Sequence, residues 1–432
     1  MNLLYSNDAP GAYPASYYAD SVGPQAERTS LEGEHNADVC IVGAGYTGLS
    51  AAYQLARRGY RVIVLEAHRV GWGASGRNGG QLGSGHRLDQ MDLEARLGST
   101  HAHALWELAQ EAKATVRGYQ AEFGAEFELK EGIIEANHRA RYDEETKVYA
   151  AYLNEHLNYP ARYLAPDELS DEVGSAAYSG GLLDPQAAHV HPLKLVLALG
   201  KGAEAAGATI HEMSEVTGIR EGDPVAVTTA RGRVRAAHLL LACNGYLGNL
   251  SQPVARHVMP INSFMIATEP LDEEAARSLI ANDYAVADSK FVVNYFRLSS
   301  DRRMLFGGRE SYGYRFSKDI KGFVRKSMLN IFPQLASARI DYGWGGTLGI
   351  TMSRMPHFTR LSGNILSASG FSGHGVALSN MAGKLAAEAI SGQAERFDLM
   401  ADLPAKAFPG GPRMRHPLLV LAMLWFSLRD RL

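Results

Sequence analysis

The chain has 432 residues, a length typical of two or three domains, and 46% of them are hydrophobic. Because this composition supplies a core of ordinary size, disorder is excluded as a description of the whole chain. The formal net charge is −3, from 43 basic and 46 acidic residues, so the basic surface of a nucleic-acid-binding protein is missing. Cys40 and Cys243 are too few for a disulfide framework, and both are expected to be buried among apolar residues.

The two ends of the chain differ in composition from the middle. Residues 1–36 contain no apolar run with basic flanks, so no signal peptide is predicted, and we interpret them as an arm lying on the folded body. Residues 411–432 contain a short apolar run flanked by arginines, which is shorter than the roughly 18 residues that cross a bilayer. They predict an amphipathic helix that docks on the body, with a peripheral membrane anchor or a subunit contact as alternatives. We expect a cytoplasmic location.

The secondary-structure pattern, taken in chain order, combines two kinds of sheet. Residues 38–42, 47–58 and 61–66 predict a strand, an alanine-rich helix and a second strand, and such a βαβ unit indicates a parallel sheet. The later elements are helices at 100–123 and 193–206, several strands between 211 and 241, strands at 258–268, 291–298 and 303–308 with antiparallel spacing, a helix at 319–332, a strand at 364–369 and a helix at 376–390. A mixed α/β fold follows from this order.

A glycine-rich motif joins the first predicted strand to the first predicted helix. Gly43 permits a tight turn, Gly45 lets the backbone approach a pyrophosphate, and Gly48 lets the helix pack closely on the sheet. The helix N-terminus then offers unpaired N–H groups to the phosphates. Glu66 ends the second strand, where a carboxylate accepts hydrogen bonds from ribose hydroxyls. The complete unit predicts a dinucleotide site.

Two further glycine-rich segments favour FAD over a nicotinamide cofactor. Residues 71–83 (GWGASGRNGGQLG) follow the ribose-binding acid, and residues 370–375 (GFSGHG) lie between the last predicted strand and helix. That helix can direct its N-terminus at the flavin, where negative charge gathers on reduction. Nicotinamide enzymes need only the first unit, whereas FAD needs contacts farther along the chain.

These motifs, in this order, resemble those of the FAD-dependent amine and amino-acid oxidoreductases of the glycine oxidase, sarcosine oxidase and D-amino acid oxidase type. Within that superfamily, SGRNGG and GFSGHG are most similar to the bacterial gamma-glutamylputrescine oxidase group. The resemblance implies an FAD-binding Rossmann-like domain with an interleaved antiparallel-sheet substrate domain. It assigns residues 37–95, 175–250 and 345–410 to the first domain, and residues 96–174 and 251–344 to the second.

The resemblance also implies which residues contact FAD. These are Gly43, Gly45, Tyr46, Thr47 and Gly48 near the pyrophosphate, Glu66 and Ala67 near the adenosine ribose, Ser75, Arg77, Asn78, Gly79, Gly80 and Gln81 from the pyrophosphate to the flavin, Val216 at the adenine, and Gly370, Phe371, Ser372, Gly373, His374 and Gly375 at the flavin.

Three departures from the superfamily pattern bear on the reaction. Amino-acid-oxidising relatives have an arginine for the substrate carboxylate just after a Trp-x-Gly strand, where this sequence has Leu348, which favours an amine without that carboxylate. Residues 341–355 contain no cysteine, so non-covalent FAD is expected. Residues 291–317 contain no lysine of the kind that activates oxygen in some relatives, which leaves oxygen and other electron acceptors open.

The function predicted from these residues is oxidation of an amine, of the polyamine or gamma-glutamylputrescine type. Hydride transfer to flavin N5 would give an imine that hydrolyses to an aldehyde. An amino-acid or N-methyl-amino-acid oxidase is the alternative, with Arg297 or Arg309 in place of the missing arginine. A second alternative is a non-catalytic flavoprotein that binds a membrane or partner through residues 411–432.

For several single residues near the predicted pocket, the sequence leaves two roles open. Tyr295 is a candidate for cation–π contact with an alkylamine, while Arg297 suits the pocket or a structural pair within the sheet. His374 is a proton carrier beside the flavin or a helix-start residue. His189 and His191 have no ligand partners at metal spacing, so no metal site is predicted, and we expect polar strand or cap roles.

Overall fold

The structure, a computed structural model, describes residues 2–311 and 313–409. Its helices are α1 (Tyr17–Val22), α2 (Tyr46–Ala56), α3 (Gln90–Leu97), α4 (Ser99–Phe123), α5 (Asp143–Leu157), α6 (Pro166–Glu172), α7 (Pro192–Ala205), α8 (Gln252–Ala255), α9 (Glu273–Leu279), α10 (Ile320–Ile331), α11 (Val376–Ile390) and α12 (Glu395–Ala401).

The strands are β1 (Gly33–Val42), β2 (Val62–Leu65), β3 (Gln81–Leu82), β4 (Lys130–Ala136), β5 (Arg162–Leu164), β6 (Gly181–His189), β7 (Thr209–His211), β8 (Val216–Arg220), β9 (Val225–Thr229), β10 (Gly232–Leu241), β11 (Met259–Thr268), β12 (Ala285–Asp288), β13 (Tyr295–Leu298), β14 (Met304–Ser311), β15 (Ile340–Ile350), β16 (His357–Ser362) and β17 (Ile365–Ser369).

The first sheet is parallel at its centre and carries the predicted βαβ unit. Its strand order is β16-β17-β10-β1-β2-β7, in which only β16 runs antiparallel to its neighbour, and β9 and β8 extend it from β10. The residues of β2 are all apolar and buried, as expected for a strand covered on both faces. Helices α2, α7 and α11 pack together on one face, and this arrangement brings the carboxyl ends of β1, β2 and β10 to one edge.

The second sheet is mostly antiparallel and lies over that edge. Its order is β15-β11-β14-β13-β12-β4-β6-β3, with β5 added to β6, and only β12 and β4 pair in parallel. Its outer face is buried under α10, through an aromatic cluster that includes Phe264, Phe296, Phe306 and Phe332. Since α10 covers the outer face, the opposite face of this sheet forms the cavity wall.

The sheets divide the chain differently from the predicted segments at three elements. Strands β3 and β6 fall in segments assigned to the FAD-binding domain, yet they pair with each other and with β4 in the second sheet. Helix α4 falls in a segment assigned to the substrate domain, yet it packs on α11 and α7. The physical reason is long-range pairing, since an apolar alternation does not reveal which sheet receives a strand.

The N-terminal segment lies against the body, as its composition suggests. Tyr18 is fully buried and packs edge-on against the rings of His191 and Trp344. The Asp8 carboxylate is 2.8 Å from an Arg77 guanidinium nitrogen. The predicted C-terminal helix, residues 411–432, lies outside the described residues. Within the described ranges, no helix combines the length and apolar character that crossing a bilayer requires.

Candidate functional site

A cavity of about 700 Å³ runs from the carboxyl edge of the parallel sheet to the inner face of the second sheet. Its volume is within the range of cofactor and ligand sites in proteins. Both sheets contribute to its wall, from Val42, Leu65 and Ala242 at the first to Ser263, Tyr295 and Ile350 at the second. The cavity therefore reaches from the predicted dinucleotide site to the inner face of the second sheet.

The N-terminus of α2 forms the first part of the cavity. Gly43 has φ +107°, and a Cβ there would lie 2.8 Å from the carbonyl oxygen of Ala242. A Cβ on Gly48 would overlap the carbonyl oxygen of Gly43. Gly45 caps α2 without a side chain, and the Tyr46 N–H donates to Ser75 Oγ at 3.0 Å. Only glycine allows this close approach, and the helix N-terminus stays open toward the cavity as an anion site.

Glu66 lies beside this helix N-terminus at the end of β2. Its carboxylate accepts hydrogen bonds from the Ala44 N–H at 2.8 Å and the His68 N–H at 2.9 Å. Burial raises its pKa to about 6. Ala67 and Val216 line the same end of the cavity. The predicted role of Glu66 is to accept hydrogen bonds from ribose hydroxyls with its remaining lone pairs.

The segment after β2 is held in shape by its own polar side chains. Asn78 donates to the carbonyl oxygens of Ala74 and Ser75 and accepts from the Gly80 N–H. Arg77 lies 4.4 Å from the ring centroid of Trp72, and its Nε donates to the Trp72 carbonyl. Its Nη2 is buried and makes no hydrogen bond within the described ranges. That unused donor, on a residue lining the cavity, fits an anionic or carbonyl group of a cofactor.

The loop between β17 and α11 closes the other side. Residues 371–375 line the cavity, and Gly375 caps α11 without a side chain. The Gly370 N–H donates to Asn244 Oδ1 at 2.8 Å, which ties this loop to the end of β10. Burial lowers the pKa of His374 to about 4, so its ring is neutral at pH 7. Because the ring is neutral, the positive influences there are the dipole of α11 and the nearby Arg87 guanidinium.

Not every predicted site residue reaches the cavity. Gly48, Gly80 and Gly370 do not line it; Gly48 lets α2 pack on the Gly43 carbonyl, and Gly80 and Gly370 have positive φ in the loops around the cavity. The structure corrects the prediction that Arg297 lines the pocket. Its side chain is buried and connects β13 to two other segments of the chain. Its Nε donates to the Gly79 carbonyl at 2.8 Å and its Nη2 to the Val190 carbonyl at 2.9 Å. Arg297 is therefore a structural residue that holds the predicted cofactor loop to the second sheet.

The second sheet supplies a wall that is partly apolar and partly charged. Tyr295 and Leu348 line the cavity, and Leu348 packs with Met259, Ile261 and Ile350. The remaining predicted residues on the lining are Tyr46, Thr47, Ser75, Asn78, Gly79 and Gln81. The sequence reasoning missed several further lining residues, which are Trp72, Arg87, Glu135, Asn244, Glu310 and Arg354. Trp72 belongs to the glycine-rich segment 71–83, whereas the others lie on loops or single strand positions that carry no motif.

The two histidines considered as metal ligands have structural roles. His189 lies in β6 and its Nε2 is 2.8 Å from the Asp283 carbonyl, while His191 caps α7 by accepting the Lys194 N–H. In the described ranges, no group of His, Cys, Asp or Glu side chains is arranged to hold a metal ion. Cys40 is buried as expected, but Cys243 is half-buried and lines the cavity, because β10 ends at the sheet edge.

Comparison with known proteins identifies the family. The family described as FAD dependent oxidoreductase (DAO) matches residues 38–389, which is most of the chain. The chain belongs to this family. The oxidoreductase is 39% identical over 425 residues to the gamma-glutamylputrescine oxidoreductase of Escherichia coli (strain K12), covering 97% of this chain and 99% of that protein. It is 40% identical to a probable oxidoreductase, OrdL, of Rhizobium meliloti (strain 1021), over 96% of this chain and 97% of that protein.

The solved structures agree in fold. Glycine oxidase from Geobacillus kaustophilus superposes with a TM-score of 0.72 at 22% identity, covering 83% of this chain and 95% of that chain. The predicted mixed α/β fold is therefore confirmed. The protein is an FAD-dependent enzyme, as its family and relatives establish, and the glycine cradle, Glu66 and the unused Arg77 donor fit FAD. The non-catalytic alternative is not supported.

Proposed function

We propose that this oxidoreductase oxidises the carbon–nitrogen bond of an alkylamine with a remote polar head, of the gamma-glutamylputrescine type. The observation that supports this most is Leu348 on the cavity wall, at the strand position where a carboxylate-binding arginine is expected in amino-acid oxidases. A carboxylate buried beside Leu348 would lack a charge partner there, which costs several kcal/mol. An alkyl arm instead gains about 0.8 kcal/mol for each methylene buried.

The charged residues of the cavity suit the remote head of such a substrate. Arg354 lies in the loop after β15, with its guanidinium 5.2 Å from the Phe291 ring centroid. Arg87 lies in the segment after β3 and is exposed. Both line the cavity. Guanidinium groups are the preferred partners of carboxylates, so these two fit the amino-acid end of a gamma-glutamyl group.

In this proposal, aromatic side chains of the cavity position the amine and exclude water. Tyr295 and Trp344 line the cavity, and the Tyr295 ring packs against Gly79 in the predicted cofactor loop. An aromatic face attracts an alkylammonium and keeps the reacting carbon dry. FAD, when bound, supplies the acceptor for the hydride that leaves the carbon next to nitrogen. We propose that FAD is held without a covalent bond, because the described β15 region contains no cysteine.

An amino-acid oxidase is the second candidate, and Arg354 is the observation that favours it. Its guanidinium would then bind the substrate carboxylate in place of a residue on β15. The other two candidates for that role are wrong on geometry, since Arg297 is a structural residue and Arg309 bonds Ser327 Oγ, outside the cavity. Arg354 thus remains the alternative to test.

Anaerobic reduction of the yellow protein separates the two functions. Gamma-glutamylputrescine, putrescine and butylamine are compared with glycine, sarcosine and a series of D-amino acids. Bleaching by amines, with gamma-glutamylputrescine fastest, supports the proposal. Bleaching by amino acids alone would assign Arg354 to the substrate carboxylate and overturn the proposal.

A further inference from the structure

Strand β14 contains a bulge that decides which side chain enters the cavity. The register with β11 pairs Phe264 with Gly308 but Ser263 with Glu310, so Arg309 is the extra residue, and its φ is +64°. A bulge of this kind re-aims the side chains that follow it. Arg309 points to the outer face, where its Nε donates to Ser327 Oγ at 2.9 Å, and Glu310 lines the cavity.

Glu310 lies next to the aromatic wall. Ser263, its cross-strand neighbour, also lines the cavity and has its Oγ 3.3 Å from the Tyr295 hydroxyl. Paired residues on one face of an antiparallel sheet have Cβ atoms roughly 5 Å apart. A Cβ on Gly79 would lie 2.7 Å from the other side of the Tyr295 ring. Glu310 therefore lines the same part of the cavity as Ser263 and Tyr295, next to the predicted cofactor loop.

The surroundings of Glu310 leave its carboxylate available to a ligand. Arg354, after β15, and Arg87, after β3, are the charged groups that act on it, and Tyr295 on β13 is the titratable neighbour. No hydrogen-bond donor among the described residues contacts the carboxylate. Burial raises its pKa to about 7, although both arginines lower it. A half-buried carboxylate without a donor is costly to maintain, which is typical of groups that meet a substrate.

Building on the proposed amine oxidation, we propose that Glu310 pairs with the substrate ammonium and accepts its proton. In that step one N–H bond of the ammonium breaks, a Glu310 oxygen gains the proton, and the nitrogen keeps the electron pair. The amine becomes neutral and Glu310 becomes a carboxylic acid. The step is required because only the neutral amine has the lone pair that forms the carbon–nitrogen double bond as the hydride leaves.

A binding comparison tests the ion pair without turnover. tert-Butylamine has no hydrogen on the carbon that carries nitrogen, so it cannot be oxidised, and tert-butanol is its neutral analogue of the same shape. Followed by perturbation of the flavin absorbance, the wild-type enzyme should bind the amine at least about tenfold more tightly than the alcohol. Glu310→Gln, which preserves side-chain size, should reduce this preference to about threefold or less. Glu310→Asp should retain part of it.

A pH profile of anaerobic flavin reduction tests the proton transfer. With gamma-glutamylputrescine, the wild-type rate should rise with pH through about 7 as Glu310 loses its proton. Glu310→Gln should lower the rate about 100-fold or more and remove that inflection, since general bases contribute at least that factor. Glu131→Gln removes an exposed carboxylate of β4 that pairs with Arg117, and should leave both readouts unchanged.

The outcomes separate the two proposals. If no amine reduces the wild-type flavin, the proposed function fails. If amines do reduce it but Glu310→Gln keeps the preference for tert-butylamine and the inflection near pH 7, the role of Glu310 is wrong.

Discussion

Replacing Leu348 with arginine tests the substrate class at a single position. Leu348 is half-buried on the cavity wall and packs with Met259, Ile261 and Ile350. The guanidinium would remove apolar contact from at least one substrate methylene, about 0.8 kcal/mol. It would also repel the substrate ammonium, by about 2 kcal/mol at roughly 8 Å with an effective dielectric constant near 20. The sum of about 3 kcal/mol predicts a loss of roughly 150-fold in kcat/KM.

Butylamine and norvaline form a matched pair for this assay, because norvaline is butylamine with a carboxylate on the reacting carbon. Leu348→Arg should slow flavin reduction by butylamine and raise the relative rate with norvaline, whose carboxylate gains a charge partner. Leu348→Met, which conserves volume, should stay within about tenfold of the wild type. Unchanged butylamine kinetics in Leu348→Arg would place the side chain outside the substrate site and refute the reasoning.

Two further substitutions probe the cofactor cradle and the buried histidines. Gly48→Ala should yield protein with little or no FAD by absorbance, because the new Cβ overlaps the Gly43 carbonyl; Gly118→Ala, with open space on α4, should keep FAD and add up to about 1 kcal/mol of stability. Burial lowers the pKa of His191 to about 3. Below pH 6.5 the unfolded state therefore binds a proton that the folded state does not bind, so the free energy of unfolding falls as the pH falls. His191→Asn, which retains an N-cap oxygen, should remove about 2 kcal/mol of the loss between pH 7 and 5. If the urea midpoints of the wild type and of His191→Asn shift equally between pH 7 and 5, the prediction is contradicted.

The local features of the fold could be predicted from the sequence, whereas long-range pairing could not. Helices α2, α4, α7 and α11 and strand β2 agree with their predicted bounds to within about two residues, since apolar periodicity and glycine punctuation are local signals. Strand β1 starts at Gly33, five residues before the predicted strand, because its first half pairs with β10 rather than with β2. Such pairing has no local sequence signal.

The residues of the candidate site also differ in whether the sequence alone could predict them. The residues proposed to hold the cofactor, such as Gly43 and Glu66, belong to motifs, so the sequence predicts them. Glu310 enters the cavity through a bulge at Arg309, and simple strand alternation from Phe306 would have turned Glu310 to the outer face. For Arg297 the sequence allows a place in the pocket, and only the structure shows that its guanidinium donates to backbone carbonyls instead.

Anaerobic titration with gamma-glutamylputrescine, with product analysis, tests the central claim most directly. The account predicts that the flavin is fully bleached by about one equivalent of the amine, because each oxidation removes two electrons. The product should be the corresponding aldehyde, with release of ammonia if the terminal amine is the one oxidised. A flavin that stays oxidised with this amine and with simple alkylamines, but is bleached by glycine, sarcosine or norvaline, would contradict the account.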